Sequence, residues 1–230
     1  MTSCVVFLGP SLPHEEARGI VGGDCDLRPP VKRGDLPDLP DSVRLVAIID
    51  GVFQSESAVG HREILDKLRK GVEVVGGGSM GALRASELDT MGMLGLGRVY
   101  ESYASKKIDG DDEVALIFNP EDLEALSEPL VNTRHNLERA ESRKIISARQ
   151  AEDLLADMKA LYFPKRTKEK LVELAKQKLD PSSLSKFEKF VREDYADIKR
   201  EDAVKILRYV RKRIEESPKI NKKTGTSKRT

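Results

Sequence analysis

The chain has 230 residues, 34% of them charged, and a net charge of only +1 at neutral pH. So even a balance offers no global field for nucleic acid, and none is expected as a partner. No apolar run approaches the roughly 18 residues that span a bilayer, and the N-terminus lacks the basic and long apolar stretches of a signal peptide. Cys4 and Cys25 form no metal-site spacing, suit a reducing cytoplasm, and read as two small buried apolar side chains. The expectation is a cytoplasmic protein without membrane contact.

Over the first 90 residues, short apolar runs alternate with helical patterns. Residues 5–8 lead to Gly9-Pro10-Ser11, and residues 25–27 to Pro29-Pro30-Val31-Lys32-Arg33-Gly34-Asp35. Residues 45–49 lead to Asp50-Gly51, and residues 72–75 to a glycine-serine turn. Continuous Val/Ile/Leu runs are buried parallel strands, and their alternation with helices predicts an α/β fold. That is a parallel-sheet core with helices on both faces. Between the third and fourth strands, residues 62–70 place Ile64, Leu65 and Leu68 on one helical face and stop at Gly71, a natural C-cap.

Ligands of such sheets gather at the carboxyl ends of the strands. This chain carries Ser11, Lys32, Asp50 and Ser79 there. Asp35 and Asp50 suit helix capping or turn chemistry equally well. The last turn, Gly76-Gly77-Gly78-Ser79-Met80-Gly81, passes from a strand into Ala82-Leu83-Arg84-Ala85, a run of good helix formers. Residues 77–81 satisfy the G-x-S-x-G pattern of a nucleophile elbow in the strand–turn–helix setting it requires. The helix start supplies unpaired N–H groups, so Met80 and Gly81 are the candidate oxyanion donors, and glycines at 77 and 78 permit close approach. The same turn also suits a phosphate, or a simple change of chain direction. Of the three histidines only His135 follows Ser79, against the usual hydrolase order. A lysine whose pKa is lowered by desolvation is the better base.

Residues 91–97 hold too many glycines for a helix interior and read as a packed loop, with a short helix near Tyr100 to Tyr103. The cluster Asp109-Gly110-Asp111-Asp112-Glu113 lacks the full pattern of a calcium loop and reads as a turn with capping groups. No metal and no cofactor are expected. From residue 121 the chain turns helical. Ala203, Ile206, Leu207, Val210 and Ile214 keep helical spacing, residues 152–158 and 168–178 read as further amphipathic helices, and Thr167 is placed to cap the latter. The expected organisation is an α/β core over 1–120, a helical region packed on it over 121–216, and a disordered basic tail over 217–230.

Several motifs together resemble the TfuA-like family. They are G-P-S-L at 9–12, P-P-V-K-R-G-D at 29–35, I-D-G-V-F at 49–53, H-R-E-I-L at 61–65 and G-G-S-M-G-A-L-R-A-S-E-L at 77–88. G-M-L-G-L-G at 92–97, D-D-E-V-A at 111–115, E-P-L-V-N at 128–132 and F-P-K-R-T at 163–167 follow in order. Arg62 stands where many members carry lysine. The resemblance implies an accessory protein for YcaO-dependent backbone thioamidation, docking on the YcaO-type enzyme. It implies hydrolysis of a thiocarboxylated ThiS-type carrier by a serine–lysine pair, releasing sulfide. The archaeal wording of two motifs implies methyl-coenzyme M reductase as the modified protein. On this reading Ser79 is the nucleophile and Lys32 or Lys165 the base. Ser11, Asp50, Gly77, Gly78, Met80 and Gly81 bind substrate, and Arg84 meets an acidic group of the carrier or makes a salt bridge within the fold. The alternative is a non-catalytic adaptor that binds the carrier and the YcaO partner.

Overall fold

The computed structural model describes residues 3–53 and 57–216. Four apolar segments form the expected strands: β1 (Cys4–Phe7), β2 (Cys25–Arg28), β3 (Leu45–Ile48) and β4 (Glu73–Gly76). All pair in parallel, and the sheet order is β2-β1-β3-β4-β5. The fifth strand, β5 (Leu94–Gly95), lies in the segment expected to be a loop and pairs with β4 through Val75 and Gly76. Parallel pairing there uses backbone alone. Gly95 is needed because a side chain would run into the ring of Tyr100.

Both faces of the sheet are covered, as continuous apolar strands demand. Val5, Phe7, Val46, Ile48 and Val74 face α2 (His61–Arg69), α3 (Met80–Leu88) and α4 (Arg98–Ala104) through Ile64, Ala82, Leu83 and Val99. Val6, Leu8, Ala47, Ile49 and Val75 face α1 (His14–Val21) and α9 (Ile198–Glu216) through Ala17, Ala203, Ile206, Leu207 and Val210. A third apolar cluster joins α5 (Leu130–Ser142), α6 (Ala148–Ala160), α7 (Lys168–Lys176) and α8 (Pro181–Glu193). The fold is therefore α/β with a helical C-terminal region, as expected. Gly71 follows α2 with φ +76°, and the Thr167 hydroxyl accepts from the Lys170 amide at the start of α7.

Cys4 and Cys25 are register partners on adjacent strands, both buried. A disulfide joins them, where two separate apolar side chains were expected. No described helix is long and apolar enough to cross a membrane. The basic segment 217–230 lies outside the described residues.

Candidate active site

The strand order reverses between β1 and β3, the place where open α/β sheets leave a crevice at their carboxyl edge. Asp50, just after β3, reaches across it. Its carboxylate accepts from the Gly9 amide at 2.9 Å, the Ser11 amide at 3.0 Å and the Ser11 hydroxyl at 2.7 Å. Asp50 is 2% exposed and Ser11 is also buried, so these bonds pin the loop after β1 to the end of β3. The Ser11 hydroxyl donates into that clasp.

Ser79 follows β4, one strand further along. The turn is built on very close backbone packing. A side chain on Gly76 would strike the Gly81 carbonyl, one on Gly77 the Leu96 carbonyl, and one on Gly81 the Ile48 carbonyl. Only Gly78 needs a left-handed backbone, with φ +70°. These glycines admit the protein's own chain rather than an outside ligand. Ser79 is the N-cap of α3 but makes no capping bond with its hydroxyl. The Gly81 amide, an expected oxyanion donor, is taken by the Ile49 carbonyl at 3.2 Å. The Met80 amide has no acceptor among the described residues.

Ser79 and Asp50 line one small cavity of about 30 Å³ together with Lys199, Pro10, Gly51 and Phe53. Val114, Ala115, Leu116 and Phe118 close it as a strap. Lys199 sits near the start of α9 and is only 2% exposed. Its ammonium nitrogen donates to the Val114 carbonyl at 3.1 Å, and its backbone carbonyl lies beside Gly78. Loss of water pushes the Lys199 pKa down, partly offset by Asp50, Asp197 and Glu128.

The strap is held by the acidic cluster. Asp112 pairs with Arg166 and Glu113 with Arg134, each at 2.5 Å. Among the described residues no group of three or more His, Cys, Asp or Glu is placed to hold a metal. Arg166 is almost fully buried and also donates to the carbonyls of Met158, Leu161, Lys159 and Asp112. That network explains the F-P-K-R-T block: its arginine, not its lysine, is the anchor.

The two lysines named from the sequence lie elsewhere. Lys32 stands at its expected strand end, but its side chain is exposed and lines a separate groove. Lys165 is exposed in a short turn spanning Phe163–Lys165. Neither meets the requirement of burial that a lysine base carries. His135 lines another surface cavity with Arg98 and Glu138. Arg84 donates to the Val59 carbonyl at 3.0 Å and to Glu87 at 2.7 Å, the contact within the fold that was the alternative for it.

A family model described as TfuA-like protein matches residues 50–167. No curated protein matches the chain. The matched span holds Asp50, Ser79, the strap and Arg166, but not Ser11, Lys32 or Lys199.

Proposed function

Because this chain belongs to the TfuA-like family, which is associated with YcaO-type thioamidation, we propose that it hydrolyses a protein thiocarboxylate through Ser79 and Lys199. The carrier is a ThiS-type ubiquitin-like protein, the sulfide goes to a YcaO-type enzyme docked beside it, and the modified protein is methyl-coenzyme M reductase. The observation that carries the reading is a buried lysine lining the same small cavity as the serine of the G-x-S-x-G turn. Lys199 replaces Lys32 and Lys165 as the candidate base.

The chemistry runs in two steps. The neutral amine of Lys199 takes the Ser79 proton as Oγ attacks the thiocarboxylate carbon. The new C–O bond forms, and the lysine returns the proton to sulfur as the C–S bond breaks and hydrosulfide leaves. Water then attacks the acyl-serine as Lys199 takes its proton and returns it to Oγ when the acyl C–O bond breaks, giving free serine and an acid that ionises to the carrier carboxylate. A desolvated lysine suits this work, because an ordinary solvated ammonium stays protonated near neutral pH. The Met80 amide, at the positive end of α3, supports the oxyanion.

The test is mass spectrometry of a thiocarboxylated carrier, with sulfide measured in parallel. The expected product is the carboxylate form, lost in Ser79→Ala while carrier binding persists. Carrier binding without turnover by the wild-type protein would replace this reading with the adaptor. Near-wild-type turnover in a folded Ser79→Ala protein would remove Ser79 as nucleophile.

A further inference from the structure

A cavity of about 30 Å³ holds about one water molecule, so only the reacting group itself fits beside Ser79. The rest of an acyl donor has to lie in a neighbouring cleft. Two larger clefts touch the cavity. One, of about 500 Å³, shares Phe53 with it, and three of its charged lining groups, His61, Arg84 and Glu87, already pair with one another. There His61 and Arg84 both bond Glu87, and Arg84 also bonds the Val59 carbonyl. The other, of about 380 Å³, shares Phe118 and is walled by Pro29, Pro30, Val52 and Leu123.

The second groove has the character of a chain-binding surface. Its prolines present an apolar wall without N–H groups of their own to satisfy. On its rim, the Asp35 carboxylate is occupied by the Lys32 amide at 2.8 Å, and Arg28 is paired with Asp26. The Lys32 ammonium is exposed and has no ion pair among the described residues, which leaves one available cation over an apolar trough.

We propose that this groove is the subsite for the polypeptide tail of the acyl donor, with Lys32 meeting a carboxylate side chain upstream of the reacting carbonyl. The proposal rests on the reading of Ser79 and Lys199 as the reacting pair. Phe118 lines both spaces, so the groove adjoins the cavity. Lys32 is then a specificity residue rather than a base.

The test uses the Ser79→Ala protein and two synthetic peptide thioacids that differ only in carrying Glu or Lys upstream of the terminal residues. Calorimetric titration should show the Glu peptide binding at least about tenfold tighter, with the gap narrowing at high salt as expected for an exposed charge pair. Adding Lys32→Glu should invert that preference, and adding Leu123→Trp should weaken both peptides. A preference unmoved by Lys32→Glu overturns the subsite. So does loss of binding confined to Ala58→Trp, which fills the charged cleft instead. Turnover of the same peptides by the wild-type protein tests the hydrolase reading separately, since binding to the alanine variant does not require it.

Discussion

Lys199 has lost nearly all its water and keeps one hydrogen bond, to the Val114 carbonyl. Its folded pKa lies below the ordinary lysine value because desolvation outweighs the attraction of Asp50, Asp197 and Glu128. The unfolded chain therefore binds more protons between the lowered value and about 10.4, and stability from this group rises with pH across that window. Below the lowered pKa the full burial penalty stands. Lys199→Met should thus abolish sulfide release while raising the melting temperature at pH 7, and wild-type turnover should climb with pH to a plateau below the usual lysine range. A pH–rate profile and a melt of the same protein check both. Asp50 works the other way, since Asp50→Ala strands two amides and a hydroxyl. The cost should be at least about 3 kcal/mol, at roughly 1–3 kcal/mol for each of the unmet groups, read by urea unfolding. Ser79 was legible in the sequence because its pattern is local, five residues at a strand–helix junction. Lys199 was not, because it reaches the cavity from a helix 120 residues later. Its one signal was position: it stands four residues before Ala203 and seven before Ile206, on the buried stripe of α9. A lysine on an apolar stripe is the mark that a reading confined to motifs and strand ends passes over.

At the level of elements, the glycine-serine turn is a packing device before it is a site. Helix α3 starts so close to β3 that the Gly81 position has no room for a methyl group against the Ile48 carbonyl. Gly81→Ala should cost about 3 kcal/mol, because the clash is with backbone and no rotamer can relieve it. Gly19 is the control. It sits exposed in α1 with nothing near a new methyl, so Gly19→Ala should add roughly 0.5–1 kcal/mol. Opposite shifts of the two denaturation midpoints would confirm that close approach, not turn flexibility, sets the glycines. The sequence predicted the strand, the turn and the helix, since each is written in local periodicity. It could not assign Gly77 and Gly81, because the atoms they avoid belong to Leu96 of the following loop and to β3. The strap carries the same lesson. Asp111-Asp112-Glu113 read as a capped turn, and its partners Arg166 and Arg134 come from later segments. β5 escaped notice for a related reason: two residues are too short for any periodicity to register.

Across the whole molecule, the chain closes its α/β core with its last described helix. Strand–helix alternation made the sheet legible, but not that α9 returns to cover the face holding Val6, Leu8, Ile49 and Val75 beside α1. Helical spacing tells which side of α9 is apolar, and nothing in it tells which surface that side will find. The return has two consequences. It carries Lys199 to the Ser79 cavity, and it places the Asp202 carboxylate on the amides of Arg98 and Val99, where it caps the start of α4. Burying Ile206, Leu207 and Val210 is worth roughly 1.5–3 kcal/mol each, a sum comparable with the about 5–15 kcal/mol net stability of an ordinary domain. A chain ending at residue 197 should therefore lose its cooperative thermal transition, bind an apolar dye at the uncovered sheet face, and release no sulfide. Circular dichroism melts and dye fluorescence decide the first two points, and the carrier assay the third. A fragment that melts sharply with native-like signal would show that α1 alone suffices to cover that face. Sulfide release by such a fragment would remove Lys199 from the reaction, because no other buried lysine lines the cavity: Lys67, the other one among the described residues, bonds the Leu39 carbonyl from α2.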